Sequence, residues 1–344
     1  MNASPLSAIG VDLPVIAAPM AGGPSTPALV AAAAKSRGLG FLAAGYKSAQ
    51  ALAGEIHTTR AHGVATFGVN LFVPNPVPIT EAAYRDYARA VQSEADRYRL
   101  TLPEHPVEDD DQWTDKIDLL TADPVPCVSF TFGIPDRSIV EALRKAGSTV
   151  LQSVTCVAEA RQAADAGVDA LIVQASTAGG HLATLTPDRS PGPITLPDLI
   201  ASVVHDVALP VIAAGGIASA DDVAAAVKAG AQAVMVGTAL LRTHESGASA
   251  PHKAALVDPG FTATTITRAF TGRPARALRN AFVERFDALA PSGYPAIHHL
   301  TGPLRKAATA AGDTDLIHLW AGTGHRYAKV ESAADTLARL AARL

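Results

Sequence analysis

The sequence predicts an α/β protein, a (β/α)8 TIM barrel carrying a smaller helical lid domain. Eight short apolar runs recur through the first seven-tenths of the 344 residues. Each is continuously hydrophobic rather than alternating, as expected of parallel strands covered on both faces. Ala-rich stretches with helix start and stop signals lie between several of them, and glycines collect at the strand ends. A doubly wound open sheet would use the same local units, so the count of eight carries the choice.

In chain order the runs are PVIAAPM from Pro14, LGFLAAG from Leu39, FGVNLFV from Phe67, PCVSFTFG from Pro126, TVLQSVTC from Thr149, DALIVQA from Asp169, PVIAAGG from Pro210 and AVMVGTAL from Ala233. The clearest helix is SADDVAAAVKAG, where Ser219 can cap, Asp222 lies three residues on and Gly230 can end the helix. CVAEARQAADAG fills the gap between the fifth and sixth runs in the same way, with Gly167 as its stop. Pro74, Pro76 and Pro78 stiffen the exit from the third strand, and a helical stretch follows over 81–99. The acidic run EHPVEDDD from Glu104 reads as a solvated loop, since like charges repel and no paired metal site is evident. Over 244–327 strand-like runs disappear, and helix-compatible, Gly/Pro-punctuated sequence predicts a lid over the barrel mouth. Its Arg268, Arg273, Arg276, Arg279 and Arg285 could suggest anion recognition, but five arginines across a helical region more often decorate surfaces and domain contacts. Residues 331–344 read as one amphipathic helix. The expected organisation is a barrel over 1–243 with a helical insertion about 74–122, a lid over 244–327, and a C-terminal helix in 328–344 packed on the barrel.

Composition narrows the partners. Hydrophobic residues make up 48% and charged residues 17%, which excludes wholesale disorder. A formal charge of -4 supplies no general attraction for nucleic acid or anionic membranes, so the expected partner is a small molecule. No apolar stretch reaches the roughly 18 residues of a membrane span. The amino terminus, interrupted by Pro5, Asp12 and Pro14, does not read as a secretion signal. Cys127 and Cys156 lack metal-ligand spacing and read as reduced thiols, which fits a cytoplasmic setting.

The chemistry concentrates at strand ends. VQASTAGGH places a lone histidine, His181, after a buried strand and the Gly179-Gly180 turn. Glycines let a backbone approach a ligand, and imidazole exchanges a proton near neutral pH; a histidine satisfied by neighbouring backbone groups is the alternative. Gly215 and Gly216 end the seventh run, and Gly237 and Thr238 the eighth. Main-chain N–H groups there can hold a phosphate dianion without a lysine, or the glycines can merely permit tight turns. Their recurrence on consecutive strands favours a phosphorylated ligand. Ala18, Pro19 and Met20, followed by the Gly22-Gly23 turn, could lie against a flat ring at the same mouth. Asn70 and Gln174 offer amides for structure or for ligand binding. His298 and His299 are adjacent, point in different directions on a helix and make no natural metal pair; no metal is expected.

The ordered set APMAGGPSTPALVAAAAKSRGLGFLAAGY, GVNLF, the Q…AGGH loop, PVIAAGGIAS, VGTALL, HHLTGPLR and LWAG resembles the nitronate monooxygenase family, formerly called 2-nitropropane dioxygenases. These are FMN-dependent barrels, and the resemblance spans nearly the whole chain. It implies that Ala18, Pro19 and Met20 border the flavin and that Asn70 and Gln174 bind its polar atoms. Gly179, Gly180, Gly215, Gly216, Gly237 and Thr238 would cradle ring system and phosphate, and Met235 would make a backbone contact where a glutamine is common. His181 matches the catalytic histidine. In such enzymes a nitronate gives an electron to FMN, dioxygen enters, and carbon–nitrogen cleavage yields a carbonyl compound and nitrite. Tyr294, His298 and His299 are candidates to line the substrate pocket. Ala175, Thr177, Leu182 and Ala183 depart from the Gly, the Glu and the Arg-Gly that many relatives carry, which changes the field at His181. Two other readings remain: a flavin-dependent enoyl-thioester (enoyl-ACP) reductase drawing on a nicotinamide donor, and a non-catalytic barrel binding FMN or another phosphate.

Overall fold

A computed structural model describes residues 12–189 and 192–344. Each of the eight apolar runs forms a strand: β1 Val15–Ala17, β2 Leu39–Ala43, β3 Gly68–Phe72, β4 Cys127–Thr131, β5 Thr149–Val154, β6 Ala170–Gln174, β8 Val211–Ala214 and β9 Ala233–Val236. They pair in parallel and close as β1-β2-β3-β4-β5-β6-β8-β9, with Ile16 opposite Met235 at the seam. The strands are buried along almost their whole length because helices cover them outside and side chains fill the bore. Ile16, Phe41, Cys127, Leu151, Ile172 and Ile212 belong to the inner cluster. Gly68 makes room there: a Cβ on it would lie 2.2 Å from the Phe41 ring, so the missing side chain lets that phenyl group cross the bore.

The connecting helices are α1 Pro27–Lys35, α2 Ala49–Ala61, α3 Glu81–Arg97, α4 Trp113–Ala122, α5 Arg137–Ala146, α6 Val157–Asp165, α7 Leu196–Asp206 and α8 Ala220–Lys228. In α8 the capping box forms as the sequence indicates. Ser219 Oγ accepts from Asp222 N–H at 3.2 Å, and the Asp222 carboxylate accepts from Ser219 N–H at 2.9 Å. Gly167 and Gly230 follow α6 and α8 with φ of +87° and +114°, the left-handed turn that ends a helix. Beyond the barrel lie α9 Ala250–Ala255, α10 Ala281–Phe286, α11 Ala296–Ala311 and α12 Ala333–Leu340. Leu337 and Leu340 of α12 join the barrel's outer core, whereas Phe270, Phe282, Leu300 and Leu304 form a second core with Tyr84 and Tyr87 of α3. No helix among the described residues is long and apolar enough to cross a membrane.

One expectation is corrected and two are refined. The region over 244–327 is not purely helical: β10 Thr264–Thr267 and β11 Ala275–Leu278 form an antiparallel hairpin, and β11 pairs with the two-residue β7, Gly180–His181. TTIT and ARAL are four residues each, three of them threonine in the first and one of them arginine in the second, and main-chain pairing holds them without a long apolar run. The acidic run is a largely exposed loop as expected, except at its last residue. Asp111 pairs with the buried Lys116 at 2.7 Å and accepts from Tyr46 N–H at 2.9 Å, so it pins the turn after β2. Of the five arginines, Arg273 is a domain contact and not a surface residue: it is fully buried, its guanidinium donating to the carbonyls of Thr184, Phe132 and Asn75 and lying 4.0 Å from the centre of the Phe132 ring.

Candidate active site

At the carboxyl ends of the strands the chain encloses a cavity of about 310 Å³. Its wall contains every residue expected to bind a cofactor: Ala18, Pro19 and Met20 after β1, Asn70 on β3, Gln174 on β6, Gly179 and Gly180, Gly215 and Gly216 after β8, and Met235, Gly237 and Thr238 at the end of β9. His181 lines it as well.

The glycine turns supply donors. Gly215 and Gly216 take φ of +108° and +76°, and a Cβ on Gly216 would meet Thr177 Oγ1 at 2.8 Å, so glycine is required there. Among the described residues the N–H groups of Gly215, Gly216, Gly237 and Thr238 donate to no protein acceptor. Enclosed N–H groups demand partners, and four of them following two consecutive strands suit a phosphate. Thr238 Oγ1 accepts from Gly322 N–H at 3.0 Å, which ties this end to the segment carrying Trp320.

The amides divide their work. Asn70 Nδ2 donates to the Ser129 carbonyl at 3.2 Å and lies 2.9 Å and 3.0 Å from the Ser129 and Thr131 hydroxyls. Because that carbonyl can only accept, the amide nitrogen faces the protein and Oδ1 is left for a donor in the cavity. Gln174 spends more of itself on the chain: Oε1 accepts from Ala183 N–H at 2.8 Å and Nε2 reaches the His181 carbonyl at 3.4 Å. It clamps the histidine's own segment.

His181 is set by β7, whose pairing with β11 places it opposite Ala275. Its ring packs against Trp320, Phe132 and Tyr294 at centroid distances of 5.4, 5.5 and 5.9 Å. Nε2 lies 2.9 Å from Thr271 Oγ1. That hydroxyl can accept Nε2–H while donating to the Arg273 carbonyl 3.2 Å away, or it can turn its proton onto Nε2 and leave Nδ1 as the N–H. Burial, reinforced by the charges of Arg273 and Arg305, lowers the His181 pKa to about 3, so the ring is neutral near pH 7. Neither arginine forms an ion pair among the described residues; Glu159 and Asp188 bear on Arg273 from a distance, whereas no carboxylate bears on Arg305, so the Arg305 side of the pocket is electropositive without a protonated histidine.

Of the three lid candidates, Tyr294 packs edge-on to His181, and its hydroxyl donates to Tyr46 at 3.5 Å. His298 stacks on Tyr46 at 4.1 Å and lines an adjoining cavity of about 250 Å³. His299 stays outside both walls: its ring stands at 86° to His298, and Nε2 pairs with Asp109. Adjacent helical positions point apart, so only one of the two can face the site. Sequence reasoning missed Tyr46, Phe132, Thr271, Arg305 and His318. Tyr46 and Phe132 carry positive φ of 66° and 82°, and both follow strands at the barrel mouth, a position that could have flagged them.

The model of the nitronate monooxygenase family matches residues 4–342. A probable nitronate monooxygenase from Staphylococcus aureus (strain JH9) is 36% identical over 329 residues, covering 94% of this chain and 92% of the relative. The nitroalkane oxidase of Streptomyces ansochromogenes superposes with a TM-score of 0.94 at 46% identity, over 99% of this chain and 98% of that one. FabK from Thermotoga maritima, with a TM-score of 0.76 at 24% identity over 99% and 95%, shares the fold. This chain belongs to the nitronate monooxygenase family of oxidoreductases.

Proposed function

We propose that this chain binds FMN at the barrel mouth and oxidises alkyl nitronates with dioxygen to carbonyl compounds and nitrite. The observation that carries this reading is a neutral His181, under the charges of the buried Arg273 and Arg305, beside a cavity edged by four main-chain N–H groups without protein partners among the described residues. The residues fit the cofactor: Gly215, Gly216, Gly237 and Thr238 would take its phosphate, Asn70 Oδ1 a ring N–H, and Ala18, Pro19 and Met20 the ring's apolar edge. When bound, FMN supplies the one-electron and dioxygen chemistry that side chains lack.

The remaining work falls to the chain. A nitronate is an anion, and Arg273 and Arg305 favour anions in this enclosed space. With the Thr271 proton turned onto Nε2, His181 Nδ1–H donates to a nitronate oxygen while the ring stays neutral. A general base works best with a pKa near the operating pH, and about 3 is far below it. His181 is therefore a positioning donor and a weak base, which favours preformed nitronates over neutral nitroalkanes. Trp320, Phe132 and Tyr294 hold the ring in place.

Anaerobic addition of ethyl nitronate to the purified protein tests this directly. The flavin absorption band bleaches with the nitronate much faster than with nitroethane, and readmitted air yields nitrite. A band that ignores the nitronate but bleaches rapidly with NADH or NADPH overturns the reading in favour of an enoyl-thioester reductase.

A further inference from the structure

The adjoining cavity holds a cation that no acidic group among the described residues neutralises. Arg305, on α11, is 6% exposed. Its Nε–H donates to Thr301 Oγ1 at 3.0 Å, Nη2 to the His298 carbonyl at 2.8 Å and to His298 Nδ1 at 3.2 Å, and Nη1 to His318 Nδ1 at 3.4 Å. A guanidinium has five N–H donors and no lone pair. Both imidazoles therefore turn a lone pair toward Arg305 and carry their proton on Nε2. Four of the five donors are engaged, and one on Nη1 is left over.

Burial and the Arg305 charge hold His298 and His318 well below the ordinary histidine pKa, so both are neutral N–H donors. Neither Nε2 has a protein partner among the described residues, and both rings line the cavity. Lys306, exposed at the rim, adds a second positive charge, and no acidic residue lines the wall. A desolvated charge ringed by neutral groups is costly until a counter-ion arrives.

We propose that this side cavity is a binding site for a small monovalent oxyanion, held by the free N–H of Arg305 and the Nε2–H groups of His298 and His318. Because His181 and His318 line both cavities, the site adjoins the place assigned to the reaction. The anion that the proposed reaction releases there is nitrite. Its identity rests on that reaction, whereas the existence of the site does not.

The test is anomalous diffraction from crystals of the flavin-loaded enzyme soaked in sodium bromide, joined to calorimetric titration with sodium nitrite. The expected result is a bromide peak within contact of Arg305, with nitrite affinity at least 10-fold weaker in Arg305→Met and about 3-fold weaker in Lys306→Glu. Should Arg305→Met fail to fold, the exposed Lys306→Glu still decides. Nitrite affinity unchanged in the variants, or bromide confined to other places, overturns the site. A protein that ignores nitronates yet binds bromide at Arg305 loses the proposed reaction and keeps the anion site. An active enzyme with no bromide there does the reverse.

Discussion

Replacing His181 with Phe separates positioning from proton transfer. The phenyl ring retains the packing on Trp320, Phe132 and Tyr294, whose centroids lie 5.4–5.9 Å from the histidine, and loses both ring nitrogens. A hydrogen bond to a charged group contributes about 1.5–3 kcal/mol. At 1.36 kcal/mol per tenfold, the loss in kcat/KM for ethyl nitronate is about 10- to 160-fold. A general base would be worth about 10²- to 10⁴-fold and would leave a limb in the pH profile near its pKa. With the His181 pKa at about 3, no histidine limb lies between about pH 5 and 9 in the wild type. The assay is oxygen uptake against nitronate concentration across that range, with flavin content measured for each protein. Undiminished activity in His181→Phe, or a wild-type limb near pH 6–7 that disappears in the variant, rules out a neutral positioning His181.

Other perturbations follow from the same geometry. Gly216→Val forces a branched side chain into a φ of +76° and against Thr177, so the purified variant should hold much less flavin per chain than the wild type; equal flavin content would contradict the cradle. Gly68→Ala drives a methyl group into the Phe41 ring and should cost about 1–3 kcal/mol by overpacking, read as a lower thermal midpoint. Ser219→Ala removes the capping box of α8 and should cost about 1 kcal/mol in urea unfolding. His181 and His252 are held at about 3 and about 4, while the unfolded chain takes up protons below about 6.5. Stability present above pH 6.5 is therefore lost as pH falls toward 4, by up to about 1.4 kcal/mol per unit for each histidine. Unfolding midpoints that stay constant from about pH 7.5 to 5 would contradict that burial.

The barrel was legible because strands buried on both faces write themselves as unbroken apolar runs, and every such run became a strand. The glycines closing β8 and β9 were legible as part of the mouth, and they do line its cavity, since a turn that frees main-chain donors needs no particular side chain. The lid resisted for a physical reason. The β10 and β11 hairpin is held by main-chain bonds, so its Thr- and Arg-containing sequence carries no strand period. Arg273 and Arg305 look like surface residues in one dimension, and their burial depends on carbonyls, hydroxyls and imidazoles brought in from distant segments. His298 and His299 are equal candidates for the pocket wall in one dimension, and only the helix shows that His299 turns out toward Asp109.

In the proposed arrangement, main-chain donors after β8 and β9 hold the FMN phosphate while His181 faces the flavin ring. A crystal structure of the protein purified in its yellow form tests it most directly. The expected density shows the FMN phosphate within hydrogen-bonding distance of N–H groups from Gly215, Gly216, Gly237 and Thr238, with the His181 ring toward the isoalloxazine. A phosphate bound elsewhere, a His181 side chain turned away from the ring, or a protein that takes up no flavin at all would contradict it.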